Sequence, residues 1–203
     1  MNARAPQSRA EELALAVVAL RRGEIVAYPT ETFYGLGVDA FDELALARLR
    51  ELKGRGEKAF SVLVVGAEML ERLCEPPSGK ARALIERHWP GALTLALPAR
   101  PGIPEALVID GCVAVRESPH PLARAFVRAF GGPVTTTSAN LAGEAPARTV
   151  AEVEATLGGR CVVLPGGATP GGAPSTLARV RGNRIEVLRA GAVTIAPDLL
   201  VDE

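Results

Sequence analysis

Apolar and polar positions follow two rhythms along this chain, one helical and one strand-like. Ser8 followed by Glu11 has the form of a capping box, and the stretch it opens predicts a helix to about Gly23, where glycine supplies a stop. The apolar run 24–27 predicts a strand that ends at Pro29, which has no N–H for a ladder. Asp42 is placed as the N-cap of a second helix with Leu44, Leu46, Leu49 and Leu52 as its apolar positions, ending near Lys53-Gly54-Arg55. Further strands are expected over 60–65, 92–97, 112–115, 134–137, 161–164, 175–180 and 184–188. Helices are expected over 67–73, 79–88, 121–130 and 150–157. Strands separated by single helices predict an α/β protein with a mixed, largely covered sheet and one domain over 1–203. The glycine-proline segment 166–174 reads as a loop within it, since strand-like sequence resumes at once.

The stretch YPTETFYGLG at 28–37 is the chain's most distinctive. If it stays extended, Thr30, Thr32 and Tyr34 share one face and offer three hydroxyls to a small polar ligand; ordinary solvated threonines at a strand end are the plainer alternative. Gly35 and Gly37 permit close approaches that a side chain would forbid.

Composition narrows the classes. The 203 residues carry 23 basic and 23 acidic side chains, so bulk charge does not favour nucleic-acid binding, although a local patch can. Lysine is rare (Lys53, Lys58 and Lys80), which draws attention to Lys53 and Lys58 flanking Arg55. Cys74, Cys112 and Cys161 are widely spaced with no CxxC pair, against a zinc site or disulfide framework and for a reducing compartment. The apolar run 13–20 is preceded by Glu11 and Glu12 rather than by positive charge, and no segment reaches the roughly 20 apolar residues of a membrane span. A cytoplasmic protein without a membrane partner is expected.

Polar groups recur where strands end: Thr30/Thr32/Tyr34, Lys53/Arg55, Arg116, the run 135–140, Ser175/Thr176 and Arg189. Ligands of open α/β sheets bind at such ends. If these ends converge, the site holds cations with hydroxyl and amide groups and few acids, which suits a phosphate or carboxylate. Each piece also fits a plainer role. Arg116 and Arg189 can be surface charges, Lys53 and Arg55 can complement a helix dipole, and Ser138 and Asn140 can form a turn and a cap. His88 and His120 read as packed residues; there is no triad, no HxxxH pair and no GxxxxGK[ST] phosphate loop.

Taken in order, six segments resemble the YrdC-like family: YPTETFYGLG, LKGR at 52–55, CVAVR at 112–116, TSAN at 137–140, PSTLARV at 174–180 and VLRAGAVT at 187–194. The resemblance covers about residues 24 to 194. It implies an open twisted mixed sheet with flanking helices around a central cavity. It implies the formation of L-threonylcarbamoyladenylate from L-threonine, bicarbonate and ATP, with pyrophosphate released, for modification of adenosine 37 in tRNA. Carried over, Thr32, Arg116, Thr136 and Ser175 fall on threonine-contacting positions. Arg55, Ser138, Asn140 and Arg189 fall on the nucleotide side, and Lys53 and Arg55 would carry the catalytic charge. Cys112 and Pro146 align with nucleotide-contacting positions.

Magnesium is expected to accompany ATP without a nameable protein ligand, and tRNA or tRNA-modification proteins are the implied partners. Gly56 stands where the family usually has proline, Ala59 replaces a polar residue of some members, and Val64 replaces a histidine of the longer ones. These departures leave room for a related carbamoyl or adenylate substrate. An RNA-binding module is a third reading, disfavoured by zero net charge and sparse aromatics.

Overall fold

The computed structural model describes residues 8–54, 58–77, 79–181 and 184–196. Helix α1 (Arg9–Arg21) begins at the expected capping box, with the Ser8 hydroxyl accepting from the Glu11 N–H and the Glu11 carboxylate accepting from the Ser8 N–H. Strands β1 (Val26–Pro29) and β2 (Tyr34–Gly37) follow, then α2 (Glu43–Lys53), whose Asp42 cap accepts from the Ala45 N–H. Gly54, at φ 53°, ends α2 in the left-handed conformation that glycine adopts without penalty. The chain continues through β3 (Ser61–Leu63), α3 (Ala67–Glu71), α4 (Gly79–His88), β4 (Leu93–Pro98), a short 3₁₀ turn and β5 (Val108–Ile109). Then come β6 (Cys112–Arg116), α5 (Pro121–Phe130), β7 (Val134–Ser138), α6 (Val150–Leu157), β8 (Val162–Val163), β9 (Thr176–Arg181) and β10 (Arg184–Arg189).

The strands form one mixed sheet in the order β10-β9-β4-β6-β3-β7-β2-β1-β8, with β5 beside β6. Pairs β1/β8, β3/β6 and β4/β9 are parallel and the others antiparallel. The sheet is covered on both faces, which is why strands such as β1 and β2 are buried along their whole length instead of alternating. On one face α1 and α5 pack through Val17, Leu20, Ala123 and Phe126 onto Val26, Tyr28 and Leu63. On the other, Leu46, Leu49, Leu84, Val153 and Leu157 pack onto Leu36, Val62, Leu93 and Val115. Leu44 departs from expectation: it is 72% exposed, because α2 turns only the stripe containing Ala45, Leu46 and Leu49 to the sheet.

The stretch 28–37 is a hairpin rather than one extended segment. Pro29 pairs with Tyr34, the Thr30 N–H donates to the Phe33 carbonyl at 3.0 Å, and Glu31 and Thr32 form the tip. The glycines of β2 make room for Tyr28: a Cβ on Gly37 would stand 2.7 Å from the Tyr28 ring and 2.5 Å from Val134. The ring therefore lies flat over the hairpin and its hydroxyl donates to the Thr135 carbonyl at 2.8 Å.

Candidate active site

A cavity of about 390 Å³ opens where these strands end. The hairpin supplies Thr30, Thr32, Phe33 and Tyr34, β3 supplies Ser61, β4 supplies Thr94, and β6 supplies Arg116. Thr136, Thr137 and Ser138 come from β7, Pro146 and Gly172 from loops, Pro174 and Ser175 from the approach to β9, and Arg189 from the end of β10. Residues separated by as much as 159 positions, Thr30 and Arg189, thus line one space.

Two guanidinium groups define its electrostatics. Arg116 is 6% exposed; it donates to Glu31, whose other carboxylate oxygen accepts from the Ser118 hydroxyl at 2.5 Å. The buried pair balances charge, and removing one partner of such a pair costs about 3–5 kcal/mol because the other is left uncompensated. Arg189 donates instead to a neutral partner, the Ser175 carbonyl at 2.8 Å, and approaches the Ser175 hydroxyl at 3.2 Å. Burial, and after it the positive charge of Arg116, lowers the affinity of Arg189 for its proton. The two cations are therefore neighbours in field as well as in lining, and an anionic ligand between them would relieve their repulsion.

Hydroxyl groups fill the remaining wall. Thr94 and Ser175 are hydrogen-bonded at 2.8 Å, and the Thr30 and Thr32 hydroxyls stand 3.3 Å apart. The Thr137 hydroxyl is buried without a partner among the described residues. The glycine-rich loop is fastened to this wall: the Gly171 N–H donates to the Thr32 carbonyl at 2.7 Å, and the Tyr34 hydroxyl donates to the Gly167 carbonyl at 2.8 Å. A Cβ on Gly191 would lie 2.2 Å from the Pro174 carbonyl oxygen, so the strand-end segment carrying Arg189 crosses directly over Pro174 and Ser175.

Of the residues singled out from the sequence, Thr32, Arg116, Thr136, Ser138, Ser175 and Arg189 line the cavity, as does Pro146. Lys53 and Asn140 stand behind it. The Lys53 ammonium donates to the Ser138 carbonyl at 2.8 Å, the Asn140 carbonyl at 2.5 Å and the Asn140 side-chain oxygen at 2.7 Å. Arg55 and Gly56 lie outside the described residues. Cys112 begins β6 opposite Pro98, four residues from Arg116 and away from the lining. His120 precedes α5 half-buried, and burial lowers its pKa.

Sequence reasoning missed Glu31, Ser61, Thr94 and Phe33. Two of them carried a signal: Glu31 is the only acid in the motif, and Thr94 is the only polar side chain in the apolar strand β4. A polar group inside a fully covered strand must find a partner or a ligand.

Fold and cavity together define a class: an α/β domain whose strand ends gather two arginines and a wall of hydroxyls for a polar anionic ligand. The Sua5/YciO/YrdC family model, described as "Telomere recombination", matches residues 18–191, and the chain belongs to this family. It is 41% identical over 179 residues to the threonylcarbamoyl-AMP synthase of Chromohalobacter salexigens, covering 84% of this chain and 94% of that one. It is 40% identical over 188 residues to the threonylcarbamoyl-AMP synthase of Bacillus subtilis, covering 90% of this chain and 54% of the relative. The crystal structure of P. abyssi Sua5 complexed with L-threonine superposes with a TM-score of 0.84 at 31% identity, covering 92% of this chain and 55% of that one. The chain thus spans about half the length of the B. subtilis and P. abyssi proteins and nearly all of the C. salexigens one. Among the described residues no helix is long and apolar enough to cross a membrane.

Proposed function

We propose that this chain forms L-threonylcarbamoyladenylate from L-threonine, bicarbonate and ATP and releases pyrophosphate. The observation that carries the reading is the convergence of Arg116 and Arg189 on one cavity walled by hydroxyls. The names of the relatives and the L-threonine in the P. abyssi structure give the substrate class.

In the reaction the neutral threonine amine bonds through nitrogen to the carbon of bicarbonate, and the C–OH bond breaks as that oxygen takes the proton the nitrogen gives up and leaves as water. A carbamate oxygen then bonds to the α-phosphorus of ATP while the α–β bridging bond breaks, and pyrophosphate carries away the electron pair. Two carboxyl-type groups and a triphosphate must approach one another, so fixed cations are the main protein contribution. Arg116 takes the threonine carboxylate or carbamate, since a guanidinium fork matches either group. Thr32, Thr136 and Ser175 orient threonine, whose amine and hydroxyl both need hydrogen-bond partners. Arg189 and Ser138 hold the nucleotide, and Arg55, outside the described residues, keeps the nucleotide role that the family resemblance implies. Positioning and charge stabilisation are what this lining offers to the transfer.

ATP enters as its magnesium complex, with the ion held by phosphate oxygens and water. Among the described residues the cavity lining contains no carboxylate, and no group of three or more His, Cys, Asp or Glu could hold a metal. No protein ligand for the ion is assigned, and no step runs through one. Pyrophosphate release is the decisive measurement, with threonine, bicarbonate and ATP omitted in turn. Release is expected only with all three present, and release indifferent to threonine would overturn the reading.

A further inference from the structure

Lys53 is the last residue of α2 and one of only three lysines, yet it is 3% exposed. An ammonium group has three N–H donors and no acceptor. Three protein oxygens already stand within hydrogen-bond reach of it: the carbonyls of Ser138 and Asn140 and the Asn140 side-chain oxygen. These three are peptide and amide dipoles oriented on the ammonium, and they hold it only while that stretch keeps one shape.

These oxygens belong to Ser138, the last residue of β7 and part of the cavity lining, and to Asn140 in the loop that follows. Because Lys53 only donates and the Glu144 carbonyl only accepts, the orientation of the Asn140 amide is fixed. Its oxygen faces Lys53, and its nitrogen donates to the Glu144 carbonyl at 2.6 Å. The Ser138 hydroxyl then donates to the same Asn140 oxygen at 2.6 Å. Backbone bonds complete the frame: the Ala139 N–H donates to the Tyr34 carbonyl at 2.8 Å, and the Ala147 N–H to the Ala139 carbonyl at 3.0 Å.

We propose that Lys53 is a positioning residue: it acts on the nucleotide through Asn140 and Ser138 by fixing the loop 138–141, and it does not itself touch the phosphates. This rests on the proposed nucleotide side of the cavity, but its first consequence needs no nucleotide. In the ligand-free full chain, Lys53→Met takes the ammonium from three oxygens; the Asn140 side-chain oxygen keeps the Ser138 hydroxyl and the Ser138 carbonyl keeps the Asn140 N–H, so the loop loses its shared anchor rather than every bond. Amide exchange at Ala139, Asn140, Leu141 and Ala147 is expected to rise at least tenfold, with the amides of β3 and β6 unchanged. Unaltered exchange in the loop overturns the proposal.

The second consequence separates positioning from phosphate contact. Lys53→Met is expected to weaken ATP, ADP, AMP and adenosine by one common factor of about tenfold. A loss that grows with the number of phosphates and vanishes for adenosine overturns the proposal. Lys53→Arg keeps the charge but cannot converge its planar donors on the three oxygens, so it should loosen the loop as Lys53→Met does; rescue by arginine overturns it as well.

Asn140→Ala carries the test if Lys53→Met does not fold, since it removes one acceptor and leaves the ammonium its two carbonyls. It should reproduce the loop exchange and the common factor; where Lys53→Met does fold, combining the two should add less than the product of their effects. If the unaltered chain binds none of the four nucleotides, the reading of the cavity fails, while the exchange result still decides the role of Lys53.

Discussion

Two depressions of this molecule contrast with one another, and the larger of the pair is the poorer in chemistry. A groove of about 640 Å³ runs past Gly23, Glu24, Arg48, Glu51, Arg160 and Cys161, beside the sheet edge at β8. Its cations serve the frame: Arg48 donates to the Gly23 carbonyl at 2.9 Å, and Arg160 donates to the Thr156 carbonyl at 2.7 Å at the end of α6. Glu24 and Glu51 line the same groove, so its charges offset one another. Among the described residues the smaller cavity, about 390 Å³, has two arginines and no acid in its lining, and its hydroxyls are held by a covered sheet. Volume therefore says less about a binding site than how its charges are held: in the smaller cavity Arg116 is balanced by Glu31, while Arg189 rests on the neutral oxygens of Ser175.

The contrast can be broken most sharply at Arg116. Arg116→Ala is expected to lower pyrophosphate release at least a thousandfold and to destabilise the fold by about 3–5 kcal/mol, because Glu31 keeps a buried charge without its partner. Pairing Arg116→Met with Glu31→Gln should recover most of that stability in denaturant titrations and none of the activity. Recovery of activity would mean that the cation is not needed. Ser175→Ala comes next, since it removes a hydroxyl shared by Thr94 and Arg189. A loss of about 10–100-fold is expected in kcat/KM for threonine, the scale of a hydrogen bond to a charged group.

A pH titration gives a smaller effect. Burial lowers the His120 pKa below the ordinary value near 6.5, so the fold prefers the neutral ring. The sign follows: this contribution is fully present above pH 6.5 and is lost as pH falls through the lowered value. Unfolding between pH 7.5 and pH 5 should show the loss, and His120→Asn should remove that part of the slope. Arg160→Ala, in the larger groove, should change turnover less than twofold and stability by at most about 0.5–1 kcal/mol. A turnover loss of tenfold there would erase the distinction between the two depressions.

Much of this was legible in the letters. The capping box at Ser8, the Asp42 cap, the proline-led α5 and helix α6 follow from local rules and stand where the pattern puts them. Local rules were silent about the hairpin tip. Alternation placed Thr30, Thr32 and Tyr34 on one face of an extended strand, and they do line one cavity, but by way of a turn. Glu31 escaped notice because its role depends on Arg116, 85 positions away. Leu44 was assigned to the core because hydropathy does not say which stripe of α2 the sheet covers. Lys53 shows the same limit from another side. Its rarity marked it as important, but only the folded loop reveals that its charge is directed at peptide oxygens.

The crossing of Gly191 over the Pro174 carbonyl has a further consequence for how the protein comes into being. Arg189 reaches Ser175 only after β9 and β10 have paired, and β9 lies beside β4, laid down some eighty residues earlier. On a translating ribosome the sheet can assemble from its middle outward while one wall of the binding chamber is still inside the exit tunnel. The chamber is therefore closed only once β10 has been made, and a polypeptide halted before it would carry Arg116 and lack Arg189, one of the two guanidinium groups of the described lining.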